Sequence, residues 1–169
     1  MKSKIYIVNG MGGCGKDTFA EFMRQMIPGV LKISSVDRVK SIARMCGWDG
    51  GKTEKDRKFL SDLKVLTSEY NDMAFNYLKS WVKETQRDDY MFRVLLIDIR
   101  EPDEIERAKN EFGAKTILIT NDRVPHITSN MADANVFEYT YDYTIDNSGS
   151  FEDFEANIRI FAEAEGLCE

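Results

Sequence analysis

The feature that most constrains the fold is a glycine-rich segment near the N-terminus, NGMGGCGKDTFA, which spans residues 9–20. A short apolar run, KIYIV, comes directly before it, and behind it Phe19, Phe22, Met23 and Met26 recur at the spacing of one helix face. A strand, a glycine turn and an amphipathic helix in this order are the setting of a phosphate-binding loop, G-x-x-x-x-G-K-[ST]. The segment therefore predicts an α/β fold with an anion site after the first strand.

The remaining sequence continues this alternation of strands and helices. Such an order predicts a parallel sheet that is covered by helices on both faces. We expect a single domain over residues 1–169 with the three-layer α/β/α P-loop NTPase fold and a five-stranded parallel sheet. Four further runs supply the other strands: residues 29–34, 93–99, 114–120 and 141–147.

Two segments depart from the simple alternation. Residues 48–90 hold a helical pattern that is too long for an ordinary crossover, so we expect a helical insertion with a bend near Thr67. Its apolar side chains from Phe59 to Trp81 are expected to belong to the core, or, at the far end, to line a base pocket. Residues 121–138 are irregular and polar, and we expect a short lid-like loop there.

Charge and cysteine content exclude several classes of function. The net charge of −6 comes without a basic stripe, which argues against a nucleic acid polymer as partner. Three cysteines without metal-ligand spacing indicate a reducing compartment. No apolar stretch approaches the roughly 18 residues that span a bilayer, and the first strand is no signal peptide. We therefore expect a cytoplasmic protein that uses no membrane; a homodimer is left open.

The glycine loop has the chemistry of a nucleotide site. Its glycines permit positive φ angles, which let backbone N–H groups approach phosphate oxygens, and the helix that follows adds its dipole. Lys16 brings a full positive charge. Cys14 contributes its backbone N–H or, alternatively, a reactive thiol. The predicted nucleotide-binding residues are Gly10, Met11, Gly12, Gly13, Cys14, Gly15, Lys16, Asp17 and Thr18.

Asp17 is the one departure from the loop pattern, because a hydroxyl that holds Mg²⁺ is usual there. Two interpretations stay open: the loop has lost its metal ligand, or the carboxylate supplies an oxygen, which Mg²⁺ accepts readily. Asp98 ends the apolar run LLID and resembles a Walker B carboxylate. The predicted Mg²⁺ residues are Asp17, Thr18 and Asp98.

Several segments resemble phage-type deoxynucleoside monophosphate kinases and their bacterial relatives. GKDTFAEFM matches the G-K-D-T that is typical of that family, in which Asp17 is normal. VDRVKSIA resembles the A-D-P-L-K segment, LLIDIREPDEIE resembles D-V-R-F-P-N-E-x-E, and YDYTIDNSGSFEDF resembles the closing strand, turn and helix. The resemblance covers most of the chain in the right order. It implies transfer of the γ-phosphoryl group of ATP, with Mg²⁺, to a (deoxy)nucleoside monophosphate, so that small-molecule nucleotides are the partners.

The resemblance also implies roles for individual side chains. Lys16 would bind the donor phosphates, Asp37 and Lys40 would stand where the acceptor enters, and Arg100 would face the acceptor phosphate. Arg123 would be the lid cation, and residues 48–90 would lie on the acceptor side. Simpler roles are open for some of them: Asp37 as an N-cap, and Arg100 as a partner of Glu104, four residues on. Arg57 and His126 are expected at the surface.

Two other functions fit the same sequence. A kinase acting on a hydroxyl, of the dephospho-coenzyme A kinase type, would share the loop, and Asp37 could serve as its base. A nucleotide-binding regulatory protein without turnover would also need the loop.

Overall fold

The computed structural model describes residues 2–87, 91–124 and 135–168. The described strands form one parallel sheet in the order β2-β3-β1-β4-β5. This confirms the predicted α/β fold with five parallel strands. The strands are β1 (Lys4–Asn9), β2 (Val30–Ser34), β3 (Val94–Asp98), β4 (Lys115–Thr120) and β5 (Tyr143–Asp146).

Helices cover both faces of the sheet. Tyr6 and Val8 of β1 point into the core formed with α1 and α6, whereas Ile5 and Ile7 point into the core formed with α4 and α5. This alternation follows from the two-residue period of a strand, and it explains why the side chains from Ile5 to Val8 are all apolar. The helices are α1 (Lys16–Met26), α2 (Asp37–Met45), α3 (Glu54–Asn71), α4 (Met73–Thr85), α5 (Pro102–Phe112) and α6 (Phe151–Ala164), with a 3₁₀ turn at Asn135–Glu138.

The long helical region is two helices, and the break lies at Asp72 instead of near Thr67. Asp72 adopts a left-handed backbone (φ 54°), which ends α3. The hydroxyl of Thr67 donates to the carbonyl of Leu63 within the continuous helix. No residue of α3 is buried, and the side chains of Leu66 and Tyr70 are 64% and 86% exposed. The expectation that this whole stripe is core was therefore wrong for α3.

Ser150 and Asp153 form a capping box at the start of α6. The limits of the helical insertion (48–90) and of the lid-like loop (121–138) stay predictions. Residues 125–134 of that loop, His126 among them, lie outside the described residues.

The parallel register gathers the strand ends that carry the site. Asp98 at the end of β3 is the register partner of both Val8 in β1 and Ser34 in β2. The loops that leave β1, β2 and β3 therefore start at one point of the carboxyl edge, where open α/β sheets bind their ligands.

Candidate active site

Two positions of the loop between β1 and α1 require glycine. Gly10 has a φ of 151°, and a Cβ there would lie 2.5 Å from both the Cys14 sulfur and the Ile119 carbonyl oxygen. Gly15 has a φ of 110°, and its Cβ would lie 2.5 Å from the Asn147 Nδ2. Glycine is thus required at both positions because φ is positive and because neighbouring atoms leave no room for a Cβ.

The side chain of Lys16 curls over the loop. Its Nζ donates to the carbonyl oxygens of Gly10 (2.5 Å) and Met11 (2.9 Å). The Cys14 thiol lies beneath it, 3.8 Å from the same nitrogen, and is buried. Burial raises the pKa of this thiol although Lys16 and Arg100 oppose the shift, so the geometry favours the interpretation in which Cys14 acts through its backbone.

Asn147, in the turn after β5, holds the glycine loop in place through hydrogen bonds. Its Nδ2 donates to the Cys14 carbonyl oxygen (2.9 Å), and its own backbone N–H donates to Thr120 at the end of β4 (2.8 Å). Arg123 donates to the Asn147 carbonyl oxygen (2.9 Å), so the predicted lid cation lies beside this clamp. The sequence alone assigns Asn147 no role, although the asparagine in the closing motif is the available signal.

Asn9 connects the loop to the segment after β3. Its Oδ1 accepts the Gly10 N–H (2.8 Å), and its Nδ2 donates to the Arg100 carbonyl oxygen (3.2 Å) and to the Tyr141 hydroxyl (2.7 Å). Asn9 is fully buried, so these bonds satisfy its amide. Arg100 lies near enough to the loop for its guanidinium charge to act on the Cys14 thiol and lower the pKa of that thiol.

Lys32 of β2 joins the two predicted metal carboxylates. Its Nζ forms an ion pair with Asp17 and another with Asp98, whose Oδ2 lies at 2.9 Å. The Lys32 side chain is 14% exposed, that of Asp98 19% and that of Asp17 99%. Burial raises the pKa of Asp98 against the pull of Lys32, whereas the hydrogen bond from Lys32 lowers the pKa of the exposed Asp17. Sequence reasoning missed Lys32, because one lysine in a short strand carries no signal.

The carboxylates suit Mg²⁺ as part of a shared coordination shell. Asp98 Oδ1 is buried and has no hydrogen-bond partner within the described part of the chain, which leaves a hard oxygen ligand for an ion or its water. Residues 2–87, 91–124 and 135–168 contain no cluster of three His, Cys, Asp or Glu residues suited to a metal. An ion here would therefore draw ligands from phosphate oxygens and water as well.

The α2 residues flank this pair. The N-cap of α2 is Val36, so Asp37 does not act as an N-cap through its side chain; its Oδ2 accepts the Ser34 N–H (2.7 Å) at the end of β2. Lys40 lies near enough to Asp17 for its charge to help lower the pKa of that carboxylate.

The structure also places two other residues of the sequence analysis, Glu104 and Arg57. Glu104 forms an ion pair with Lys64 of α3 (2.7 Å). Arg57 is exposed, as expected.

Comparisons with solved structures identify the fold. The tunicamycin resistance protein of Deinococcus radiodurans superposes with a TM-score of 0.58 at 14% identity, covering 98% of this chain and 97% of that one. Dephospho-CoA kinase from Campylobacter jejuni gives 0.53 at 16%, covering 96% and 97%. TT1252 from Thermus thermophilus gives 0.50 at 17% and covers both chains completely. Family models and curated protein sequences give no match.

The chain thus shares its fold with these proteins over 96% or more of its length. Among the described residues, no helix combines the length and the apolar character that a membrane crossing needs.

Proposed function

We propose that this chain is an ATP-dependent phosphotransferase whose acceptor is a (deoxy)nucleoside monophosphate. One observation carries the proposal: the Lys16 ammonium bonds the carbonyl oxygens of its own glycine loop, next to the Asp17–Lys32–Asp98 group. A cation held by neutral carbonyls at a helix N-terminus is ready to exchange them for phosphate oxygens, which bind it more strongly.

The donor side of this function uses the loop and its supports. The backbone N–H groups of the loop and the N-terminus of α1 would receive the β- and γ-phosphates, and Lys16 would pair with their charge. Asn147 holds the Cys14 carbonyl and so keeps the loop open to the phosphates. This preorganisation matters because phosphoryl transfer depends on positioning and charge stabilisation.

Asp17, Thr18 and Asp98 are the residues that would hold Mg²⁺. When bound, the ion would neutralise phosphate charge as the γ-phosphoryl group is transferred. The Oδ1 of Asp98, which has no hydrogen-bond partner among the described residues, supports this assignment.

The acceptor side needs cations more than it needs a base. A phosphate monoester has its second pKa near 6, so it is largely a dianion at neutral pH and already a nucleophile. Arg100, anchored through its carbonyl by Asn9, and Lys40 on α2 would orient and neutralise that dianion. We further propose that Arg123 contributes its charge from beside Asn147.

A hydroxyl acceptor is the second candidate, and one structural likeness favours it: the chain superposes on a protein named dephospho-CoA kinase. An alcohol profits from a general base, and the Asp37 carboxylate on the acceptor side would be that base. In the monophosphate reaction Asp37 would need only its hydrogen bond to Ser34. A regulatory protein without turnover is the third candidate.

The candidates separate in one assay. The protein is incubated with ATP and Mg²⁺ and with a panel of deoxynucleoside monophosphates, ribonucleoside monophosphates and alcohols, and ADP and the phosphorylated product are measured. ADP formation that depends on a monophosphate supports our proposal. Dependence on an alcohol, with loss of activity in Asp37→Asn, supports the second candidate. ATP binding without acceptor-dependent ADP supports the third.

A further inference from the structure

Lys32 is a charged residue in a position that packing alone would give to an apolar one. It lies in the middle of β2, in register with Leu96, which belongs to the core between the sheet and α1. Its side chain is 14% exposed. Lysine is seldom buried unless it is paired, so the ammonium needs a reason to be there.

The reason lies in its two partners. The Lys32 nitrogen contacts one carboxylate that is largely buried, Asp98, and one that is almost fully exposed, Asp17. It therefore stands between the two side chains that would share a divalent ion. Both carboxylates lie within ion-pair distance of the ammonium and offset the cost of enclosing its charge.

Other charges surround the pair. Lys16 acts on both carboxylates and Lys40 on Asp17, while the Asp37 carboxylate accepts the Ser34 N–H nearby. The lysine charges attract phosphate and oppose the entry of a bare divalent cation. A bound nucleotide would reverse the balance through the negative charges of its phosphates.

We infer that Lys32 is the resident counter-ion of the Asp17–Asp98 pair and keeps divalent ions out of it until nucleotide phosphates arrive. This inference rests on the proposed function, since it concerns the ion that accompanies the nucleotide. The ammonium stabilises the buried Asp98 charge in the free protein, and the metal enters with the nucleotide instead of before it.

The test titrates Mn²⁺ into the nucleotide-free protein and follows the free ion by its EPR signal. Mn²⁺ is suitable because it takes the same oxygen ligands as Mg²⁺. Wild type is expected to show no saturable site at millimolar Mn²⁺. Lys32→Met removes the charge at similar length and leaves two carboxylates together, so it should gain one site at least about tenfold tighter than any wild-type binding.

Three further variants identify the cause. Lys32→Arg keeps a cation and should not gain the site. Lys32→Met combined with Asp98→Asn should lose it. Lys58→Met removes a lysine that pairs with a single exposed carboxylate, Asp62, and should behave as wild type.

Two results would overturn the inference: wild type binding Mn²⁺ as tightly as Lys32→Met, or a gained site that survives Asp98→Asn. If Lys32→Met does not fold, the wild-type titration and Lys32→Gln decide the matter. No nucleotide or acceptor is present in this experiment. A chain that phosphorylates no acceptor therefore refutes the proposed function, while the Mn²⁺ titration still decides the role of Lys32.

Discussion

The glycine loop, with α1 and α6 behind it, and the helical layer of α2, α3 and α4 are built differently. Behind the loop, α1 buries Phe19, Phe22 and Met23 against Phe154 and Phe161 of α6. In the helical layer, α3 buries none of its residues. In the proposed function, the first region would present a fixed backbone to phosphates, which all nucleotides share. The second presents exposed side chains, as a surface that selects an acceptor would.

The largest expected effect lies in the first region. Lys16→Met should lower kcat/KM for ATP at least about 100-fold, because one charge contact in a desolvated site is worth roughly 3 kcal/mol at the transition state. Steady-state kinetics with saturating acceptor measures it. Lys58→Met is the control and should retain wild-type activity, since Lys58 is exposed and remote in sequence from the loop. An active Lys16→Met enzyme would remove this lysine from the mechanism.

The next effect concerns what fixes α6 to the sheet. Burial raises the pKa of Glu165, but hydrogen bonds from Lys115, Tyr143 and Tyr6 outweigh it and lower the pKa to about 2. A lowered pKa stabilises the fold above the unfolded value of 4.5, and that stability is lost as the pH falls from 4.5 towards 2. Urea unfolding of wild type should lose up to about 3 kcal/mol across this window.

The control for this pH dependence is a neighbouring carboxylate. Glu165→Gln should be destabilised at pH 7 and should lose much of the acid-dependent change, whereas exposed Glu163→Gln should follow wild type. Parallel pH curves for Glu165→Gln and wild type would show that the Glu165 network does not hold α6.

A smaller effect is expected at the clamp under the loop. Asn147→Ala removes the donor to the Cys14 carbonyl, so the Kd for ATP should rise about five- to tenfold, the equivalent of one hydrogen bond of roughly 1 kcal/mol. Titration calorimetry measures it. Asn157→Ala removes a similar bond, to the Asp146 carbonyl, without touching the loop, and should leave the Kd unchanged. Equal Kd values for both variants would exclude a clamping role.

The smallest effect should come from α3. Leu66→Ala is expected to change the free energy of unfolding by less than about 0.5 kcal/mol, because the side chain is already 64% exposed. Leu78→Ala in α4 is its matched control and should lose about 2–5 kcal/mol, since that leucine is fully buried. Similar losses for the two variants would mean that α3 is packed as firmly as α4, and the contrast between the regions would disappear.

The same contrast explains how much could be predicted from sequence. Gly10, Gly15 and Lys16 lie in one short segment whose spacing is dictated by backbone geometry, so the loop, its strand and its helix were predicted together. The five strands could be predicted because a parallel strand that is covered on both faces needs a run of apolar residues.

What could not be predicted depends on contacts between distant segments. Lys32 in β2 forms an ion pair with Asp98 in the neighbouring strand β3. Asn147 donates a hydrogen bond to Cys14, which lies 133 residues away in the sequence. The periodicity of α3 resembles that of a core helix, and only the tertiary structure reveals that Leu66 and Tyr70 stay exposed. The break lies at Asp72, which adopts a left-handed backbone although it is not glycine. No glycine therefore marks the end of α3 in the sequence.

The central claim is that the loop after β1 binds the terminal phosphates of a nucleotide, with Asp17 in the shell of the accompanying ion. Titration calorimetry of the wild-type chain with ATP in excess Mg²⁺ tests it most directly. We predict saturable binding at one site per chain with a Kd below about 1 mM, the upper end of ordinary substrate affinities, and marked weakening in Lys16→Met. Absence of ATP uptake at millimolar concentrations, with and without Mg²⁺, would contradict the claim.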